Sequence, residues 1–165
     1  MEGKSVSQSL VTMSQVMMPQ DANPAGNIHG GVIMKHIDDA AAVVALRHTG
    51  TLVVTASIDR LSFHHPVRIG DLLTLKGSLN MVGGSSMEIG IRVESENLIS
   101  REINHIASAY LTYVALDENL RPKKVDPLIL ETEGEKRRHA EAMERKKIRL
   151  AEREKEAKQQ KESNQ

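Results

Sequence analysis

Between Leu52 and Leu116 apolar and polar residues alternate with a period of two. Met87, Ile89, Ile91 and Val93 are interleaved with Glu88, Gly90, Arg92 and Glu94, the pattern of an antiparallel strand buried on one face. The same reading predicts strands over residues 52–63, 72–82, 87–97 and 103–116, parted by the turn segments "HHPVRIGD", "GGSS" and "LISRE". A looser alternation over Ser5–Pro19 predicts one earlier strand, and "QDANPAGN" after it a loop. From about Ile28 to Arg47 the period becomes helical, with Gly50 as a stop signal. One long helix beside one meander predicts an α+β sheet curled around that helix. Residues 1–130 are read as this domain. Residues 131–165, charged and poor in apolar side chains, are read as a solvated helical tail.

The long helix carries two adjacent carboxylates, Asp38 and Asp39, and they are not equivalent. Helix residues three and four apart share a face. Asp39 stands over Lys35 and His36, on the polar side, and is expected to pair with Lys35. Asp38 has Met34, Ala41 and Ala42 as its helical neighbours, all apolar. A carboxylate there must find a hidden partner, take up a proton, or face a pocket that admits water. Two readings follow: structural burial, or a carboxylate at a cleft, for which the small alanines leave room.

At the start of the helix, "GNIHGGV" puts two glycines where backbone N–H groups have no intrahelical partner. Either they allow tight helix–sheet packing, or they present N–H groups to an anion or a polarised carbonyl. Gly31 and Asp38 are seven residues apart, about 10 Å along a helix. A carboxylate and an N–H so separated cannot serve one small reacting centre within one chain. If both act on one centre, two helices must lie side by side and antiparallel, and the site forms between subunits.

Composition narrows the classes. The 22 basic and 22 acidic side chains balance. From Glu133 onward 11 of the basic and 8 of the acidic residues fall, leaving a slightly acidic body and a slightly basic tail. That is too weak a bias for a nucleic-acid partner. There is no cysteine, hence no disulfide framework and no thiolate chemistry. No apolar run approaches the ~18 residues of a membrane span, and no signal peptide is visible, so a cytoplasmic protein with no membrane partner is expected. With one Phe and two Tyr, the core must be built from Val, Ile, Leu, Ala and Met, and such cores often lean on oligomerisation. The seven histidines show no metal-ligand spacing, so no metal is expected.

"DANPAGNIHGGVIMKHIDDAAAVVALRH", followed by "VVTASIDRLSFHHPVRIGDLLTLKGSLNMVGGSSMEIGIRV", resembles the hot-dog fold acyl-CoA thioesterases. The closest group is the cytosolic acyl-CoA hydrolases, which include bacterial YciA-type and brain-type enzymes. The blocks run in the family's order from about Val11 to Leu116, and loosely on through "LETEGEKRRHAEAMERKKIRL". The resemblance implies a hot-dog fold, hydrolysis of acyl-CoA to a free fatty acid and CoA, and no cofactor beyond the CoA of the substrate. It implies a homo-oligomer, with a dimer as the minimal active unit and a trimer of dimers as the larger assembly. The family's helix aspartate falls on Asp38, which activates water or attacks the thioester directly. Its asparagine falls on Asn23, contributed by the partner chain, and its helix-start glycine on Gly31, which polarises the carbonyl. Segments lining the CoA arm fall on Ala56, Ser57 and Ile58 and on Ser85, Ser86 and Met87. A basic segment near the CoA phosphates falls on Arg145 and Lys147, whose other reading is a solvated helix face. Unlike tandem relatives, this chain holds Asn23 and Asp38 in one domain, so a symmetric dimer would carry two complete sites. The alternative function is a non-catalytic acyl-CoA-binding or sensing module. A dehydratase would set a helix histidine beside an aspartate, and His36 and Asp38 lie about 200° apart around the helix.

Overall fold

The computed structural model describes residues 2–163. Its strands are β1 (Lys4–Ser5), β2 (Val11–Val16), β3 (Val53–Ile58), β4 (Leu72–Val82), β5 (Ser86–Glu96), β6 (Ile103–Ala115) and β7 (Leu128–Ile129). Its α-helices are α1 (Gly30–Thr49) and α2 (Glu133–Ser163). The chain divides into two units, Met1–Ile129 and Leu130–Gln165. Met1, Asn164 and Gln165, at the ends of the two expected segments, lie outside the described residues.

In the first unit five strands pair antiparallel in the order β2-β4-β5-β6-β3. The alternation sets which face is buried. Met87, Ile89, Ile91 and Val93 of β5, with Ala107, Ala109, Leu111, Tyr113 and Ala115 of β6, all turn inward. They meet Ile33, Ile37, Ala40, Ala41, Val44 and Ala45 of α1, so the sheet wraps one side of the helix. A core this poor in large side chains closes by bringing backbones together, and Gly77 of β4 shows how. A Cβ there would lie 2.8 Å from Val11, 2.9 Å from Ile91 and 2.9 Å from Val44. Glycine is thus required where helix, edge strand and central strand converge.

The ends of α1 are capped at both termini. The His29 ring accepts the Gly31 N–H at the start, and Gly50 closes the end in the left-handed conformation, φ 62°. At that end Lys4 donates to the His48 carbonyl (2.6 Å) and pairs with Asp126 (3.1 Å), while the His48 ring meets the Asp126 carbonyl (3.0 Å). A cation on the last carbonyls opposes the negative pole of the helix. These contacts gather β1 and β7, which pair in parallel, around the helix C-terminus.

Two sequence expectations are corrected. The strand expected over 52–63 stops at Ile58. A register shift follows Thr55, the ladder resumes at Ser57 and Ile58, and beyond Ile58 the described residues keep only isolated bonds to β6, from the Asp59 N–H to the Tyr110 carbonyl and from the His64 N–H to the Ile106 carbonyl. Five steps on one side there span four on the other, so a continuous ladder cannot form. The expected strand over Ser5–Pro19 is broken by single 3-10 turns at Val6–Gln8 and Pro19–Asp21, leaving Val11–Val16 in the sheet. Buried Val6 and Ser9 turn the chain there.

In the second unit, α2 starts with a reciprocal cap. The Glu135 N–H donates to Thr132 Oγ1, and Glu135 Oε2 accepts from the Glu131 and Thr132 N–H groups. No helix of the described residues is long and apolar enough to cross a membrane.

Replacing Gly77 by alanine is expected to destabilise the first unit by about 1–3 kcal/mol through overpacking. A urea titration should show a lower midpoint at unchanged slope.

Candidate active site

Asp38 and Asp39 part company as their helical phases require. Asp39 is exposed and pairs with Lys35 at 2.8 Å, one turn back. That pairing raises the Lys35 pKa, by the hydrogen bond first and the charge of Asp39 second. Asp38 is half-buried and turned toward the seam between α1 and the edge strand β3.

Neither of the two sequence readings names the partners of Asp38. The Thr55 hydroxyl of β3 donates to Oδ1 at 2.8 Å, and the Tyr113 hydroxyl of β6 approaches the same oxygen at 2.6 Å. Tyr113 also lies 2.9 Å from the Asp38 carbonyl. A phenol has one proton, and the shorter contact to a charged oxygen takes it. Thr55 and Tyr113 are cross-strand partners in the β3–β6 register, so their side chains stand side by side on the face that meets the helix. Burial first, and the Asp38 hydrogen bond second, push the Tyr113 phenol well above the usual tyrosine range. The phenol is thereby held as a hydrogen-bond donor to Asp38.

The second oxygen of the carboxylate, Oδ2, has no hydrogen-bond partner among the described residues, and no cation pairs with Asp38. The side chain is therefore anchored through one oxygen and open through the other. Its surroundings agree. Ala41 is fully buried beneath it, Ala42 half-buried, and Met34 40% exposed. The sequence did carry a faint signal for Tyr113. It falls on the inward face of β6 between Leu111 and Ala115, and a buried phenol needs a partner for its hydroxyl. What it could not supply is the partner, 75 residues away.

Asn23 sits in the loop before α1, where its Oδ1 accepts from the Ala25 and Asn27 N–H groups at 3.0 and 3.3 Å. Such a turn fixes the side chain, and its NH₂ donates to no group among the described residues. Gly31 lies in the first turn of α1 and carries a side-chain cap. Its N–H is given to His29 Nδ1 at 3.0 Å, and a Cβ on Gly31 would meet that ring at 3.1 Å. The Gly30 N–H, in contrast, has no acceptor among the described residues. The helix start thus offers Gly30 directly, and Gly31 only when the His29 ring turns aside.

The CoA-arm candidates separate. Ala56 and Ile58 are exposed, and Ser57 half-buried, on the edge strand next to Thr55. Ser85 and Ser86 are half-buried at the β4–β5 turn. Met87 is fully buried in the core, because β5 alternates inward at that residue. Lys147 is exposed on α2 and pairs with Glu144 at 2.7 Å, and Arg145 is half-buried on the same helix. Two residues apart, they point about 200° from one another around the helix axis. An open cleft of about 860 Å³ lies near the C-terminal end of α1 among Leu46, Leu52, Leu116 and Lys123. None of Asn23, Gly31 and Asp38 lines it.

The model of the thioesterase superfamily matches residues 25–100. The cytosolic acyl coenzyme A thioester hydrolase of Mus musculus is 38% identical over 85% of this chain, and the match takes in 37% of its own length. This chain therefore spans about a third of that relative. An acyl-CoA hydrolase from Staphylococcus aureus, solved with butyryl coenzyme A and coenzyme A, superposes with a TM-score of 0.90 at 33% identity. That match covers 99% of this chain and 100% of the other. An apo-hexameric acyl-CoA thioesterase superposes with a TM-score of 0.89 at 37% identity, covering 92% of this chain and 97% of its own. The staphylococcal enzyme has also been solved with an aspartate, an asparagine or a threonine replaced by alanine. In that enzyme the asparagine and aspartate are fifteen positions apart and the aspartate and threonine seventeen, the separations of Asn23, Asp38 and Thr55 here. A five-stranded antiparallel sheet around one long helix, matched over the full staphylococcal chain, places this protein in the hot-dog fold thioesterase superfamily.

Proposed function

We propose that this protein hydrolyses acyl-CoA thioesters to a free carboxylic acid and CoA, at a site completed by two subunits. The observation that carries the reading is the half-anchored carboxylate: Asp38 is held through Oδ1 by two hydroxyls, with Oδ2 uncommitted. The spacing shared with the three alanine-substituted positions of the staphylococcal enzyme supports it. So do the complexes of that enzyme with butyryl coenzyme A and coenzyme A.

In this mechanism the Asp38 carboxylate takes a proton from a water molecule whose oxygen adds to the thioester carbonyl carbon. The carbonyl π electrons move to oxygen, and the oxyanion is met by N–H donors at the start of an α1 helix. The tetrahedral intermediate then collapses, the C–S bond breaks, and the CoA sulfur leaves with the proton that Asp38 had taken. Proton transfer of this kind contributes about 10²–10⁴-fold, and each oxyanion donor about 10²–10³-fold. A thioester carbonyl is electrophilic and a thiolate leaves readily, so these groups suffice. Direct attack by Asp38, giving a mixed anhydride, is the other route the same geometry allows.

The division between subunits follows from one distance. Asp38 and the glycines belong to the same helix, about 10 Å apart along its axis, too far to hold one carbonyl. Antiparallel pairing of two α1 helices brings Asp38 of one chain to Asn23 and the helix start of the other. The hexameric relative supports an assembly larger than the dimer, for which a trimer of dimers is the proposed form. The loop containing Asn23 supplies the amide that holds the water, and Ala56, Ser57, Ile58 and the turn at Ser85–Ser86 line the CoA arm. Arg145 and Lys147 are proposed to meet its phosphates.

Thiol release from butyryl-CoA tests the reading. Asp38→Asn should lower kcat by about 10²–10⁴-fold with the fold intact, while Asp39→Asn should stay within about twofold, since it loses only an exposed pair. A protein that binds acyl-CoA but releases no thiol would instead be the sensing module. Mixing equal amounts of Asn23→Ala and Asp38→Asn chains tests the shared site. Random pairing should restore about a quarter of wild-type activity, because half the dimers are mixed and each of these has one intact site. Mixed assemblies as inactive as their parents would place the whole site within one chain.

A further inference from the structure

We propose that Tyr113 is a positioning residue for the hydrolysis, pinning Oδ1 of Asp38 together with Thr55 so that Oδ2 alone meets the attacking water. The inference rests on Asp38 being the proton acceptor and adds what decides which of its oxygens reacts.

A carboxylate on a single bond rotates about that bond, and its two oxygens are chemically equal until the surroundings separate them. Here they are separated completely. Oδ1 receives Tyr113 at 2.6 Å and Thr55 at 2.8 Å, and Oδ2 receives nothing from the described residues. Two donors on one oxygen hold the plane of the group and draw electron density toward Oδ1. The free oxygen keeps its lone pairs for an incoming proton. Catalysis by proximity depends on such fixing, and a misplacement of about 1 Å can cost roughly 100-fold.

Of the two hydroxyls, Tyr113 is the rigid one. Its ring is fully packed, with 2% of the residue exposed, among the inward side chains of β6. Thr55 lies on an exposed edge strand just before a register shift. The same phenol also approaches the Asp38 backbone carbonyl, so it touches the residue at two points of its length. Burial and the hydrogen bond to Asp38 raise the phenol's pKa, which favours its proton staying in place as the donor. Its contribution is geometric.

The test is steady-state thiol release from butyryl-CoA by the full chain, with Tyr113→Phe, Asp38→Asn and the double variant. Phenylalanine keeps the ring and its packing. Tyr113→Phe is expected to lower kcat about 10–100-fold with KM within about twofold, the signature of lost positioning rather than lost binding. In the Asp38→Asn background the same substitution should change the residual rate less than about twofold, because Tyr113 acts through Asp38. Wild-type kcat in Tyr113→Phe overturns the inference. So does an equal loss in both backgrounds, which is what a merely structural role would give. Should Tyr113→Phe fail to fold, Thr55→Val on the edge strand carries the test. One donor to Oδ1 is then gone, and a loss of about 10-fold restored by Thr55→Ser is expected. A silent Thr55→Val overturns the inference. Full turnover in Asp38→Asn is a different failure: it removes the underlying reading of the site.

Discussion

A carboxylate set between a helix and a sheet keeps its charge only if hydrogen bonds replace the water it has lost. Everything distinctive about this protein follows from how that condition is met for Asp38. An arginine in the seam would have stabilised the charge and ended its usefulness. Two hydroxyls on one oxygen do something different. They return part of the lost solvation, they carry no formal charge, and they leave the second oxygen with nothing bound. The group is thereby anchored at one oxygen and open at the other.

The sheet is what makes this arrangement possible. Antiparallel register places Thr55 opposite Tyr113, and the pleat turns both toward the helix. A one-residue slip of β3 against β6 would send the Thr55 hydroxyl to the outer face, while the alternation that buries Ala107, Ala109, Leu111 and Ala115 keeps Tyr113 on the inner face of β6. The small residues of α1 and Gly77 of β4 then set how closely the helix lies on the sheet. Core packing and the geometry of the site are therefore one constraint, because the helix backbone that carries Asp38 cannot move without opening the core.

This also explains which features can be read from the sequence. The helix, β4, β5 and β6 follow from local periodicity, as do the Lys35–Asp39 pair and the Gly50 cap, all of which depend on neighbours within one turn or one strand. The anomaly at Asp38 is visible for the same reason, since an acid among alanines stands out in the chain. Its resolution is not visible. Tyr113 and Thr55 reach Asp38 across 75 and 17 residues, by way of a strand register that no local pattern encodes. The early end of β3 escapes likewise, because "IDRLSF" alternates well enough and only the unequal path along β6 reveals the break. The cap by His29 is hidden by the two glycines, which suggest open N–H groups until the ring is seen on one of them.

On the function proposed above, the helix start and the acid together give a reason to divide the chemistry between copies. Within one helix the two features are fixed about 10 Å apart, and no adjustment of side chains closes that gap. Pairing two helices head to tail removes the distance without any new structure, since each copy brings to the other what it cannot place for itself. A symmetric pair then yields two sites from one set of residues. The arrangement carries a physical consequence for the acid. On the function proposed above, Oδ2, which has no partner among the described residues of its own chain, would meet water and thioester only where a second chain completes the site. On this view the exposed edge strand and the open side of α1 are parts of the reaction, because the partner that covers them also supplies the donors.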